Sequence, residues 1–270
     1  MRECYQSRLL RDTLSAVAEL DLGIWLVLAL AAFGAGVLNA IAGGGSFLTF
    51  PALVWAGIPP IAANATSAAV VSPGYLGSTL GFRPELQDLP RRLLWREMLV
   101  AALGGLLGAL LLLVTPSAVF AGIVPWLLLF ATALFAFGPW LTARLRGGQA
   151  DQLQRWRLPA LLLVCIYGGY FNGGLGILLM AMYLLVGEAR LNTANALKNL
   201  NSLVLSLISV AAFAWAGAIV WREALVMMVF ATLGGWAGAR LARRLPMRAV
   251  RAIVIITGLV MTLLFFLRQR

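Results

Sequence analysis

From residue 22 to residue 267 the chain is a series of apolar runs, and its charges fall in the gaps between them. The runs read roughly 22–42, 44–57, 61–81, 95–114 and 118–141, then 158–173, 174–187, 192–217, 222–242 and 249–267. A helix needs about 20 apolar residues to cross the hydrocarbon core of a bilayer. Two of the runs, 44–57 and 174–187, are too short for that, and each follows a glycine cluster. Of all residues 61% are hydrophobic and 11% charged, whereas soluble chains are about half apolar and about a quarter charged. The chain reads as an all-α polytopic membrane protein whose first partner is the lipid bilayer.

The charges support this. The ten acidic residues are Glu3, Asp12, Glu19, Asp21, Glu85, Asp88, Glu97, Asp151, Glu188 and Glu223. Each falls in a terminus, a connector or a helix end, so no carboxylate is expected deep in the membrane. The net charge of +11 comes mostly from loop arginines, as cytoplasmic loops require. No soluble basic domain is present to carry nucleic-acid binding. The chain has no His, and Cys4 and Cys165 are too few for a metal site or a disulfide framework. No P-loop and no catalytic dyad or triad occurs. Neither an enzyme nor a bound cofactor is expected. The charged lead before the first apolar run, and that run's length, speak against a cleavable signal peptide.

The chain divides into a lead (1–21), a first repeat (22–141), a polar connector (142–157) and a second repeat (158–270). Gly104-Gly105-Leu106-Leu107-Gly108-Ala109 recurs as Gly234-Gly235-Trp236-Ala237-Gly238-Ala239, 130 residues on. At the same offset Gly43-Gly44 falls on Gly173-Gly174, and Gly57 on Gly187. Trp95-Arg96-Glu97 matches Trp221-Arg222-Glu223 at an offset of 126. Arginines crowd the loop 81–96 but not its counterpart at 217–222, while the counterpart of the uncharged turn 115–117 is rich in them. The bias flips between halves, as inverted repeats require. Inversion works if the glycine-broken pairs 22–57 and 158–187 re-enter as hairpins, leaving a cytoplasmic connector. Against it, 22–42 is long enough to cross alone, and Arg268 and Arg270 would then lie outside. The GGxxGA motifs read as helix-packing faces. The nine Trp and the interfacial tyrosines read as belt anchors.

The segment Asn39-Ala-Ile-Ala-Gly43-Gly44-Gly45-Ser46 breaks a helix, because each glycine costs roughly 1 kcal/mol against alanine. In lipid, broken backbone persists only where protein or a watery cavity satisfies it. The next helix then starts near Ser46 with free N–H groups and a positive dipole end, suited to an anion. Asn172-Gly173-Gly174-Leu175-Gly176 supplies a second such end. The simpler alternative is that these glycines only permit close packing. The following segments are polar for membrane helices: Asn64 and Thr66 in the first, Asn195, Lys198 and Asn199 in the second. Asn195, Lys198, Asn199 and Ser202 share a helical face. Lys198, the only lysine, lies about 9 Å inside its helix. It is either an anchor for an anionic substrate or a side chain that snorkels to the interface.

At these residues the chain resembles the sulfite exporter TauE/SafE family. The first-repeat signature is similar to Gly36-Val-Leu-Asn39-Ala-Ile-Ala-Gly43-Gly-Gly-Ser-Phe-Leu-Thr-Phe-Pro51 followed by Gly57-Ile-Pro-Pro. The second-repeat signature is similar to Leu191-Asn-Thr-Ala-Asn-Ala-Leu-Lys198-Asn-Leu-Asn-Ser, with the ending Gly234 to Pro246. There are departures: the second hairpin has fewer glycines, Ala181 stands at the equivalent of Pro51, and Asn64 is followed by Ala65-Thr66. The resemblance implies a multi-pass protein of a bacterial inner membrane. It implies export of small anions such as sulfite, sulfonates and related organosulfur or organic anions.

The mechanism expected is alternating access at a midplane site. Backbone N–H groups of Gly43, Gly44, Gly45 and Ser46 and of Gly173, Gly174 and Gly176 would hold the anion. Asn39, Asn64, Thr66, Asn172, Asn195, Lys198 and Asn199 are the side-chain candidates. Competing readings are a non-transporting membrane scaffold or assembly protein and an importer of a related anion. A homo-oligomer is compatible with the sequence.

Overall fold

Helix boundaries fall where glycine and proline punctuate the apolar runs. The computed structural model describes residues 22–41, 44–145, 154–188, 190–241 and 247–268. The lead 1–21, Gly43 and much of the connector therefore lie outside the described residues. The first half holds α1 (Leu22–Ile41), the short α2 (Ser46–Trp55), α3 (Pro60–Gly81), α4 (Arg83–Gln87), α5 (Arg91–Val114) and α6 (Ser117–Leu145). A 3-10 turn, Gln154–Trp156, leads into the second half. There follow α7 (Arg157–Tyr170), the short α8 (Leu175–Leu185), α9 (Leu191–Trp215), α10 (Trp221–Leu241) and α11 (Met247–Arg268). No strand occurs among the described residues.

Pro60 opens α3 at a position where its missing N–H costs nothing, and Pro90 immediately precedes α5. Gly57 and Gly187 end the turns after α2 and α8 with φ of +89° and +90°, a conformation that side-chain-bearing residues avoid. Four described segments are long and apolar enough to cross a membrane: Leu22–Asn39, Arg91–Val114, Ser117–Leu134 and Leu191–Trp215.

Helices α1 and α10 pack along their lengths, as do α5 and α7. The GGxxGA motifs make both contacts. A Cβ at Gly36 would collide with the Ala231 carbonyl, and one at Gly234 with the Phe33 carbonyl. One at Gly108 would strike the Ile166 carbonyl, and one at Gly169 the Gly105 carbonyl. Backbones this close are the usual means of helix association in lipid. The motifs are packing faces, as their composition suggests. In the centre α3 packs against α9, and α6 against α11 on the flank. All the tryptophans except Trp25 are exposed, which suits a belt against lipid. The tyrosines differ from expectation, because Tyr75, Tyr167 and Tyr183 turn inward and bond to the bundle.

Candidate functional site

The first break is closed by its own helix. Asn39, in the last turn of α1, accepts the N–H groups of Gly44 at 3.1 Å and Gly45 at 2.8 Å on Oδ1. A Cβ at Gly45 would lie 2.7 Å from the Ala35 carbonyl and 2.8 Å from Asn39 Nδ2. Only glycine lets the chain pass so near. Two of the N–H groups expected to be free for an anion, those of Gly44 and Gly45, are thus held by a neutral carboxamide oxygen. That oxygen stands where an anion's oxygen would sit at a helix N-terminus.

The second break is built differently. Tyr167 donates its hydroxyl to the Gly173 carbonyl at 2.6 Å. Gly174 takes φ of +75° and caps α8, so Gly176 lies in the first turn of that helix. The two breaks meet. Ser46 Oγ donates to the Asn172 carbonyl at 3.2 Å, and Asn64 Nδ2 donates to the Tyr170 carbonyl at 3.1 Å. Tyr75 donates to Asn172 Oδ1 at 3.4 Å. Thr49 and Ser67 share a hydrogen bond of 2.6 Å beside them. Ser46, Asn64 and Asn172 are all buried. Sequence reasoning overlooked Tyr75 and Tyr167. The available signal was that a hydroxyl among apolar neighbours needs a partner.

Other candidates stand apart. Thr66 uses Oγ1 to accept the Val220 N–H at the start of α10. On α9, Asn199 and Ser202 are buried, while Asn195 and Lys198 are half-buried. Ser206 is the α9 residue bonded to Ser72 of α3, at 2.6 Å. Lys198 lies about 12 Å before it along the axis, by helical rise. No bond ties Lys198, Asn195 or Asn199 to the breaks among the described residues.

A stronger polar cluster lies elsewhere. Glu97 and Glu223 lie near the starts of their helices, as expected, but both are fully buried by protein. Glu97 Oε1 accepts Arg157 Nε at 2.6 Å. Its Oε2 accepts the Tyr183 hydroxyl at 2.7 Å and Asn201 Nδ2 at 3.0 Å. Glu188 stands 3.7 Å from the same guanidinium. The cluster ties α5 to α7, α8 and α9. The sequence did carry a signal for it. Glu97, Ala101, Gly104, Gly108 and Leu112 form one buried stripe on α5, so the glycine face extends back onto the carboxylate.

A cavity of about 380 Å³ opens between α1, α3 and α10, and Asn39 lines it with Gly36, Pro73, Gly74, Thr232 and Trp236. Among the described residues no charged side chain borders it.

A family model described as "Sulfite exporter TauE/SafE" matches residues 28–265. The chain belongs to the TauE/SafE family. A "Probable membrane transporter protein" of Haemophilus influenzae is 33% identical over 252 residues, covering 90% of this chain and 95% of the relative. A Sinorhizobium "Probable membrane transporter protein ORF9" is 28% identical, covering 86% and 88%. The Escherichia coli K12 "Probable membrane transporter protein YfcA" is 29% identical, covering 93% and 91%. No solved structure matches the chain. TauE/SafE membership makes this a multi-pass membrane protein of a transporter family. Its relatives bear transporter names rather than enzyme names, in keeping with a non-enzyme.

Proposed function

We propose that this chain is a secondary transporter that exports small anions, sulfite or sulfonates among them, across a bacterial inner membrane by alternating access. The observation that carries the reading is the meeting of the two breaks, where Ser46 bonds Asn172 between buried helix ends. Helices α2 and α8 begin there, so two positive dipole ends converge on a place that no carboxylate borders among the described contacts. An entering anion would replace the Asn39 carboxamide on the N–H groups of Gly44 and Gly45, while the cavity beside Asn39 gives room for a few heavy atoms. The neighbouring hydroxyls of Ser46, Thr49, Ser67 and Tyr75 are donors of the kind that sulfur oxyanions accept.

Helix packing supports a duplication. Helices α1, α2, α3, α5 and α6 correspond in order to α7, α8, α9, α10 and α11. Under that correspondence the contact of α1 with α10 exchanges with that of α7 with α5. Likewise α3 with α10 exchanges with α9 with α5, and α2 with α11 with α8 with α6. The charges give orientation. Arg83, Arg91, Arg92, Arg96, Arg155 and Arg157 gather at the end where α5 and α7 begin, while Arg222 and Arg268 mark the other end. The positive-inside rule places the first end, and the connector, in the cytoplasm. An inside-negative potential then expels an anion, at about 2.3 kcal/mol per charge per 100 mV.

The test is flux in liposomes of sulfite, sulfoacetate, thiosulfate and acetate under an imposed potential. Saturable, voltage-sensitive flux is expected for at least one of them. Folded protein that moves none of the panel would overturn the anion reading in favour of a scaffold.

A further inference from the structure

Trp-Arg-Glu occurs twice, at 95–97 and 221–223, and places a fully buried carboxylate near the start of α5 and of α10. The two carboxylates have unlike surroundings. Glu97 is met by a guanidinium, a phenol and a carboxamide. Neither oxygen of Glu223 has a hydrogen-bond partner among the described residues.

Among the described residues the charged and titratable groups around Glu223 are few. Helix α10 packs against α1 and α3. Helix α1 carries no titratable side chain. Helix α3 carries only Tyr75, whose hydroxyl is bonded to Asn172. Thr66 of α3 reaches the start of α10, but its oxygen accepts the Val220 N–H. On α10 itself, Arg222 lays its guanidinium over the Trp25 ring, 5.1 Å from the centroid, and from there its charge still favours the ionised form of Glu223. An ionised carboxylate buried without partners is far costlier than the neutral acid. The N-terminal dipole of α10 eases the ionised form, so the group is not locked in either state.

We propose that Glu223 is an exchangeable proton-binding site that couples substrate movement to the proton gradient. Glu97 is neutralised by a fixed cation, whereas no cation is bonded to either oxygen of Glu223 among the described residues. A proton fits better than a metal ion. Metal cations of this hardness take six or more oxygen ligands, and the described residues contain no group of three or more acidic, His or Cys side chains. Glu223 lies at the end that the arginine distribution places outside. There a carboxylate oxygen takes a proton from external water. After the bundle rocks, the same proton leaves to cytoplasmic water and the carboxylate is restored.

The inference rests on the transport reading, and the test separates the two. Full-length protein and Glu223→Gln, which keeps the shape, are reconstituted and assayed with the anions above under a pH gradient, with the potential clamped. One pH unit can drive about tenfold accumulation through a one-proton mechanism. Wild-type flux that follows the gradient, with a variant that keeps voltage-driven flux but ignores the gradient, is the expected result. Wild-type flux indifferent to the gradient, or a variant that follows it equally, would overturn the proposal. Infrared spectra of both proteins give a second readout that needs no transport. A carboxylic-acid carbonyl band present in wild type and missing in the variant is expected. Identical spectra would overturn the proton site even if no anion in the panel moves.

Discussion

Ser46 Oγ lies 3.2 Å from the main-chain oxygen of Asn172, joining two glycine-broken segments 126 residues apart. Both residues are buried, so the bond forms without competition from water. It fixes the N-terminal end of α2 against the end of α7 and so sets the spacing of the two breaks. Ser46→Ala should lower stability by about 0.5–1.5 kcal/mol, the net worth of one neutral hydrogen bond. Anion flux should fall by more than that loss explains, because the breaks lose their register. Thermal unfolding in detergent, run beside the liposome assay, checks both.

Asn39 offers a sharper test of charge. Its Oδ1 holds the N–H groups of Gly44 and Gly45. Asn39→Asp keeps those acceptor bonds and adds a permanent negative charge. Folding should survive, since carboxylates are favoured at a helix N-terminus. Flux of every anion should be abolished, because the carboxylate competes for the same donors. Asn39→Ala should instead retain measurable binding, with the donors uncovered. An Asp variant that transports as well as wild type would remove this place from the pathway.

The packing faces predict opposite outcomes for similar substitutions. Gly36→Ala and Gly234→Ala would push a methyl into the Ala231 and Phe33 carbonyls. Each should cost about 1–3 kcal/mol or more, as overpacking does. Gly77→Ala and Gly122→Ala meet nothing within 4 Å. They lie in α3 and α6 and should be neutral, or stabilising by up to about 1 kcal/mol. Melting temperatures of the four variants decide it.

These contrasts show what the sequence made legible. Breaks in hydropathy mark element ends closely: the run 61–81 is α3 at Pro60–Gly81, and 44–57 contains α2 at Ser46–Trp55. Glycine and proline act locally, so their effect can be read locally. The GGxxGA faces were legible for the same reason, since spacing along one helix defines a face. The role of Asn39 was not, because its bonds depend on how the chain folds back across Gly44 and Gly45. The burial of Glu97 was not legible for a related reason. Near a helix start it looks solvated, and only Arg157, 60 residues later, makes its burial tolerable. Tyr75 and Tyr167 similarly find partners on the second break.

The Glu97–Arg157 pair should behave as a buried ion pair. Arg157→Met leaves the Glu97 carboxylate buried with only Tyr183 and Asn201, and should cost about 3–5 kcal/mol. Glu97→Gln with Arg157→Met removes both charges and should recover most of that loss. A double-mutant cycle on thermal unfolding measures the coupling. Equal destabilisation by the single and the double variant would mean that Arg157 contributes by packing rather than by charge.

Lys198 is the last group whose role the geometry sharpens. It is half-buried on α9 with no bonded partner among the described residues, about 12 Å along the axis from Ser206 by helical rise. In the proposed orientation, that position suits a charge that draws anions into the cytoplasmic end better than one that grips them at the breaks. Lys198→Ala should therefore raise the KM for anion flux from the cytoplasmic side about fivefold, or about 1 kcal/mol, the scale of one screened charge. The maximal rate should change little, and Lys198→Arg should restore the KM. Concentration series under a clamped potential separate the two parameters. A collapse of maximal rate at unchanged KM would place the ammonium in the transport step itself, next to the meeting of Ser46 and Asn172.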